Sequence, residues 1–113
     1  MTTQNKSIMD TIELLTLAIQ QKKQVSFEYD SPERAVGVRF GNPHAIFIST
    51  ADNLNIDIYK LDGVRTDTTK IIPAWRQYKV KDIKNVIILD QEFSPAVGYN
   101  PTSKQYSRVI AKI

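Results

Sequence analysis

The stretch RFGNPHAIFISTADNLNIDIYKLDG, residues 39 to 63, indicates that the chain folds mainly as β structure. Residues 45 to 49 are apolar on both faces, which is typical of a strand inside a sheet. Residues 54 to 59 alternate between apolar and polar side chains, which is typical of a half-buried strand. A polar turn at residues 51 to 53 joins these two segments. Residues 41 to 43, Gly-Asn-Pro, are expected to interrupt the extended structure just before the strand at residues 45 to 49.

The chain before this stretch predicts one helix and two extended segments. Apolar residues recur at helical spacing from residue 8 to residue 22, and Ser7 with Asp10 resembles a capping box at the start of that helix. Residues 25 to 30 then alternate with a period of two, as in a half-buried strand. Residues 35 to 40 are extended again after a Ser-Pro turn.

The sequence after this stretch predicts a loop and two strands, followed by a C-terminal segment that fits either a short helix or a strand. Residues 64 to 70 are polar and without periodicity, so they form a loop, and strands are predicted at residues 75 to 80 and 86 to 89. The last apolar residues are spaced like one face of a short helix capped by Thr102 or Ser103, but their β-branched content also fits a strand. These residues are Tyr106, Val109, Ile110 and Ile113.

The composition is that of one ordinary globular domain. A chain of 113 residues can bury a single core, and 42% hydrophobic with 24% charged residues is a usual balance. The net charge of +3 is too small to indicate nucleic-acid binding by itself, because phosphate is bound by clustered cations. The absence of cysteine excludes disulfides and thiol catalysis. No segment resembles a signal peptide or a membrane span, so we expect a cytoplasmic protein without membrane contact.

These elements predict a mainly β fold with an N-terminal helix. Five or six short strands with tight turns favour a small antiparallel barrel of the SH3-like or Sm-like kind, because closing a sheet removes its exposed edges. A single domain would span residues 1 to 113, with disorder at residues 1 to 6. The barrel would occupy residues 24 to 90, and a C-terminal extension would occupy residues 91 to 113.

Three segments carry a resemblance to a known family. Arg39, Pro43 and His44 form an Arg-x-x-x-Pro-His step ahead of the apolar segment AIFIST. The next strand, LNIDIYKLDG, ends in Tyr59 and Gly63, and WRQYKVKDIKNV is similar to a closing Trp-basic-x-aromatic element. With these segments in this order, the chain resembles the WYL domain family over nearly its whole length.

The resemblance implies an SH3-like or Sm-like barrel that serves as a sensor or regulatory module in bacterial and phage proteins. Family members are often joined to a helix-turn-helix DNA-binding domain, and some are thought to bind nucleotides or single-stranded nucleic acid through basic and aromatic positions. This sequence differs from the family pattern in three ways. AIFIST replaces the Trp-Tyr-Leu letters, Asp57 stands where an arginine is common, and no helix-turn-helix is attached.

Five residues are candidates for ligand binding. Arg39 and Arg76 would neutralise phosphate, and His44 would form a hydrogen bond with phosphate or base. Tyr59 would stack on a base, and Arg65, in the loop, would close over the ligand.

Each candidate has a structural alternative. His44 fits equally a buried ring whose nitrogens satisfy backbone groups, and Arg39 fits a surface ion pair. Tyr59 could be covered by the helix, and Trp75 is favoured as a core residue. The basic run of Lys79, Lys81 and Lys84 fits solvated side chains better than a phosphate track.

No sequence motif of an enzyme is present: the chain lacks a Walker loop, a Gly-rich dinucleotide turn, HExxH and GxSxG. His44 has no second histidine or cysteine with which to complete a metal site. We therefore expect no catalytic activity and no cofactor, and the resemblance to the WYL domain family implies a sensing or regulatory module that binds a nucleotide or single-stranded nucleic acid. The alternative is a protein-interaction or oligomerisation module that uses an exposed strand edge.

Overall fold

The computed structural model describes residues 3 to 113, and the side chains of residues 9 to 113. This part of the chain contains one helix and six strands, which confirms the mainly β class with an N-terminal helix. Short 3₁₀ turns lie at Val80–Asp82 and Lys104–Tyr106. The elements are α1 (Thr3–Gln21), β1 (Lys23–Tyr29), β2 (Val38–Ile48), β3 (Leu54–Gly63), β4 (Ala74–Lys79), β5 (Ile83–Glu92) and β6 (Val109–Lys112).

Helix α1 is longer than predicted at its N-terminal end. It begins at Thr3, so Ser7 lies inside the helix, and the predicted cap at that residue is wrong. The prediction of disorder for residues 1 to 6 falls partly on Met1 and Thr2, which lie outside the described residues, while the rest of that range is helical.

The strands form one antiparallel sheet in the order β4-β3-β2-β1-β5, with β6 added to β2. Strand β3 pairs with β2 along nearly its whole length, so β1 and β6 share the other edge of β2. Strand β1 lies opposite residues 38 to 41, and β6 lies opposite residues 45 to 47. Within the described residues no pairing joins β4 to β5, so the sheet is not closed by hydrogen bonds.

Strand β2 continues through residues 41 to 43, where the sequence predicts a break. The pairing with β3 shifts register on either side of these residues, so each shift marks a bulge or similar irregularity. A bulge accommodates Pro43, which has no amide hydrogen to donate across the sheet. A Cβ atom on Gly41 would lie 2.4 Å from a methyl carbon of Ile58, so glycine allows the two strands to approach closely here. The predicted interruption is therefore a local distortion of one long strand.

Apolar side chains pack on both faces of the sheet, as expected for residues 45 to 49. Ala45 and Phe47 pack with Tyr106 and Tyr99 from the chain after β5, while Ile46 belongs to the main core. The main core contains side chains of α1 and of the sheet face against which it packs. These are Leu15, Ala18, Ile19, Val25, Phe27, Ile46, Ile56, Ile58, Tyr78, Val80 and Ile83.

The end of the chain is a 3₁₀ turn followed by a strand. The hydroxyl of Ser103 accepts a hydrogen bond from the amide of Gln105, so the predicted cap at Ser103 is present. The turn lasts only three residues, and β6 then pairs with β2. Of the two structures left open by the sequence, the helix is wrong and the strand is confirmed. Across residues 3 to 113, no helix is long and apolar enough to cross a membrane.

Candidate anion-binding site

Cationic side chains converge at one end of the sheet, around a cavity of about 160 Å³ that we name the basic pocket. Tyr29, Tyr78, Thr66 and Gln77 also line it, and Asp67 is the one carboxylate in its lining. None of the cations around it forms an ion pair with a described carboxylate. The six cations are Arg34, Arg39, Lys60, Arg65, Lys70 and Arg76.

Arg39 is buried in the wall of the basic pocket, with only 2% of its surface exposed. Its guanidinium carbon lies 5.7 Å from the ring centre of Tyr29 and 6.0 Å from that of Tyr78, within the range of cation–π attraction. One terminal nitrogen, Nη2, donates to the hydroxyl of Thr66 over 3.4 Å. The other, Nη1, is buried and has no hydrogen-bond partner among the described residues. A buried guanidinium nitrogen without an acceptor is unfavourable, because its hydrogen bonds to water are lost and not replaced.

The backbone at Arg39 is fixed by a close contact with the end of β3. Gly63 pairs with Arg39 and has a φ of 97°, a conformation that favours glycine. A Cβ atom at residue 63 would lie 2.3 Å from the carbonyl oxygen of Val38 and 2.6 Å from the Cα atom of Arg39. Glycine therefore lets β3 lie directly against the residue that carries the buried guanidinium.

Lys60 is the second buried cation of the basic pocket, also 2% exposed. It extends the buried face of β3 beyond Ile56 and Ile58, since side chains two residues apart lie on the same face of a strand. Its Nζ atom donates to the carbonyl oxygen of Val64. Burial, followed by the charges of Arg39 and other guanidiniums, lowers the pKa of Lys60 to about 8. The basic pocket therefore holds positive charges close together, and the repulsion between them is unfavourable.

Arg65 and Arg76 complete the pocket and are both half-buried. Each donates to a backbone carbonyl over 2.8 Å, Arg65 to Lys70 and Arg76 to Trp75. The loop after β3 is held to the neighbouring segment by Thr66, whose hydroxyl accepts from the amide of Ala35 over 3.0 Å. Arg39, Arg65 and Arg76, three of the five residues predicted from the sequence, are therefore brought together.

His44 lies away from the basic pocket, contrary to the expectation that it shares an accessible site with Arg39. Its ring is fully buried and packs at 4.6 Å from Trp75, 5.1 Å from Phe93 and 5.0 Å from Tyr99, between ring centres. Nδ1 lies 2.8 Å from the carbonyl oxygen of Asn42, and Nε2 lies 3.0 Å from the amide of Ala96.

These two hydrogen bonds define the protonation state of His44. A carbonyl can only accept and an amide can only donate, so Nδ1 carries the hydrogen and Nε2 accepts. Burial also lowers the pKa of the ring, which favours the neutral form. His44 therefore joins the chain after β5 to β2 through two backbone hydrogen bonds, the arrangement expected of the structural alternative that the sequence left open.

Tyr59 also lies outside the basic pocket. It is half-buried on β3 opposite Trp75, with the two ring centres 5.4 Å apart. Trp75, predicted to be a core residue, is itself half-buried, and its Nε1 donates to the carbonyl oxygen of Val97 over 2.8 Å. Both rings belong to an aromatic cluster around His44.

Three cations of the pocket, Arg34, Lys60 and Lys70, are missed by the sequence prediction. For Lys60 a signal exists, because the alternation that buries Ile56 and Ile58 places it on the same face. Arg34 and Lys70 lie in irregular segments, where no periodicity indicates their direction.

A second cavity, which we name the aromatic cavity, lies beside β4 and has a volume of about 410 Å³. Asp57 lines this cavity and not the basic pocket. Asp57, which departs from the pattern of the family that the sequence resembles, is thus absent from the lining of the basic pocket. No group of three potential metal ligands exists within the part of the chain that the structure describes.

Comparison with known proteins leaves the function open. No protein-family model matches the sequence, and no curated protein matches it. The resemblance to the WYL domain family therefore stays a prediction.

Proposed function

We propose that this chain is a non-catalytic sensing or regulatory module that binds a nucleotide or short single-stranded nucleic acid through phosphate in the basic pocket. The observation that carries the proposal is the pair of buried cations, Arg39 and Lys60, beside four more cations and one carboxylate. A structure that served only stability would not favour such a cluster, because burying like charges together is costly. A phosphate group would relieve that repulsion, and it would supply the acceptor that the buried Nη1 of Arg39 lacks once the pocket wall moves to expose this atom.

Four of the six cations have a distinct part in the proposed site. Arg39 binds a phosphate oxygen at the base of the pocket, with Lys60 adding charge beside it. Arg76, on β4, contacts the phosphate from the side. Arg65 lies on the loop and closes over the ligand, the role expected from the sequence.

The family of this chain and the barrel type of its fold are also proposals. The order of the segments around Arg39, Pro43 and Tyr59 supports a small WYL-like domain. The distorted β2, shared by three neighbours, supports an SH3-like or Sm-like architecture, because strongly bent strands are typical of small barrels. A bacterial or phage origin follows from that resemblance alone, whereas the cytoplasmic location stays the separate expectation drawn from the sequence.

Titration of a short, fluorescently labelled single-stranded oligonucleotide tests the proposed phosphate site. We expect an increase in anisotropy at low salt and weaker binding at higher salt, because bound phosphates release counterions. Arg39→Ala should weaken binding by about tenfold or more, the size of one lost hydrogen bond to a charged group.

Lys81→Ala is the matched control, because it removes one charge from an exposed residue outside the basic pocket. It should bind within about twofold of the unchanged protein, since a solvated charge contributes little. Absence of binding at low salt, or full binding by Arg39→Ala, refutes the proposal. A large loss with Lys81→Ala would instead favour the basic run of Lys79, Lys81 and Lys84.

A second candidate function is a protein-interaction or oligomerisation module. Strands β4 and β5 end the pairing path, and Ile87 on β5 is 59% exposed, which favours contact with another chain at that edge. Light scattering over a range of protein concentrations should then give a mass that increases with concentration, and Ile87→Lys should prevent the increase. A constant monomer mass would eliminate the homo-oligomer.

A further inference from the structure

The aromatic cavity is the larger of the two cavities and lies next to the basic pocket. Its volume of about 410 Å³ is within the range of about 300 to 1,000 Å³ that is common for small-molecule sites. Trp75 and Tyr99 form part of its wall, with ring planes only 28° apart and centres 6.1 Å apart. Arg76 and Gln77 line both cavities, so β4 separates two adjacent sites.

Asp57 supplies hydrogen-bond acceptors in the aromatic cavity. It is 8% exposed, and its two carboxylate oxygens accept from the hydroxyl of Tyr106 over 2.6 Å and from Nε2 of Gln77 over 3.0 Å. Burial, followed by the bond to Asp57, raises the pKa of Tyr106, so the phenol keeps its hydrogen and stays the donor. An ionised carboxylate offers about four acceptor positions, and these two donors leave capacity for others.

This combination has a specific chemical preference. Aromatic faces stack on flat rings of any heterocycle, whereas a fixed carboxylate discriminates in favour of rings that carry N–H donors. Side-chain amides of Asn100 and Gln105, which are exposed and line the cavity, carry N–H donors for the edge of such a ring, while the oxygen of Asn100 accepts from the amide and the hydroxyl of Thr102.

We propose that the aromatic cavity is a subsite for a purine base that carries an exocyclic amino group, which donates to Asp57. This subsite would bind the base of the ligand whose phosphate occupies the basic pocket, so the inference rests on the proposed function. It defines the ligand as a nucleotide of an amino-purine. The base lies on one face of β4 and the phosphate on the other, with Arg76 between them.

Trp75 makes the subsite directly measurable. It is the only tryptophan in the chain, and it lines the aromatic cavity but not the basic pocket. We expect adenosine and guanosine, which have no phosphate, to quench its fluorescence. Purine riboside, which has the same ring without the amino group, should bind about tenfold more weakly, corresponding to one hydrogen bond to a charged group.

Two variants test the residues of the subsite. Asp57→Asn should reduce the preference for adenosine over purine riboside to about twofold, because the charged acceptor is lost. Since this carboxylate is buried and its loss could affect folding, Gln105→Phe serves as a second variant. It changes an exposed side chain at the rim and should prevent adenosine binding by filling the cavity.

Comparison with ribose 5-phosphate separates this inference from the proposed function. If ribose 5-phosphate displaces the labelled oligonucleotide as well as adenosine monophosphate does, and adenosine causes no quenching, the base subsite is refuted and the phosphate site stands. If adenosine binds and neither phosphate compound displaces the oligonucleotide, the subsite stands and the phosphate site is refuted. Equal binding of adenosine and purine riboside also overturns the inference.

Discussion

Replacing His44 with alanine is expected to lower the free energy of unfolding by about 3 to 5 kcal/mol. The ring is fully buried among Trp75, Phe93 and Tyr99, so its removal leaves a cavity. It also leaves the amide of Ala96 without its acceptor. Small domains have a total stability of about 5 to 15 kcal/mol, so the loss is a large part of it. Urea unfolding followed by circular dichroism measures the change.

His44→Gln is the control for this prediction, because its side-chain oxygen can accept a hydrogen bond but does not titrate. The pKa of His44 is lowered in the folded protein, so the unfolded chain binds the proton more tightly. The ring's contribution to stability is complete above its ordinary pKa of 6.5 and is lost as the pH falls below it. Between pH 7 and pH 5 the unchanged protein should therefore lose stability that His44→Gln keeps. A loss under about 1 kcal/mol in His44→Ala, or a tenfold loss of oligonucleotide affinity in folded His44→Gln, would contradict a structural role.

Replacing Lys60 with methionine is expected to stabilise the fold and weaken ligand binding together. Methionine keeps an unbranched side chain but removes a buried charge that lies among Arg39, Arg65 and Arg76. We expect a gain of about 1 to 2 kcal/mol at pH 7, after allowing for the lost hydrogen bond to Val64. Oligonucleotide affinity should fall by about tenfold, because one buried charge of the phosphate site is missing. Urea unfolding and anisotropy titration measure the two effects.

The gain from Lys60→Met should depend on pH in a defined direction. The pKa of Lys60 is lowered from 10.5 to about 8, so between these pH values the unfolded chain binds the proton and the folded chain does not. The stability of the unchanged protein therefore rises with pH across this window, whereas the variant lacks this contribution. The difference between them should narrow from pH 7 to pH 9.5. A constant difference, or destabilisation by Lys60→Met at pH 7, would show that the pocket is not electrostatically strained.

Much of the fold could be predicted from the sequence, because its strands follow simple periodic patterns. The alternation at residues 54 to 59 predicts β3, and apolar residues on both faces at 45 to 49 predict the central position of β2. The continuity of β2 through residues 41 to 43 could not be predicted. Gly-Asn-Pro usually ends a strand, but here all three residues pair with β3 on one edge. On the other edge, β1 pairs with β2 up to Gly41 and β6 pairs with it from Ala45, so the strand is held in the sheet on both sides of Asn42 and Pro43.

Three of the five candidate residues, Arg39, Arg65 and Arg76, line one cavity. They were chosen as basic residues of a chain that resembles the WYL domain family, and whether they bind an anion stays a prediction. His44 was assigned to the same site because it belongs, with Arg39, to the Arg-x-x-x-Pro-His step that resembles the WYL domain family. Register shifts on either side of residues 41 to 43 and the chain after β5, which covers the ring, determine its actual position. Sequence distance along a distorted strand does not specify the direction of a side chain.

The position of β4 at the end of the pairing path has a consequence for both candidate functions. Among the described strands, β4 has a neighbour on one side only, so the backbone groups of its outer edge have no partner strand. Its residues Arg76 and Gln77 line both the basic pocket and the aromatic cavity, so we take this edge as the border between the two cavities. A molecule that fills both cavities must cross this border and shield those groups. A further strand from another chain needs the same groups for its hydrogen bonds. Binding of a ligand across both cavities and pairing of a second chain with β4 would therefore be mutually exclusive. A higher ligand concentration would inhibit the pairing competitively, and a higher concentration of the second chain would inhibit ligand binding.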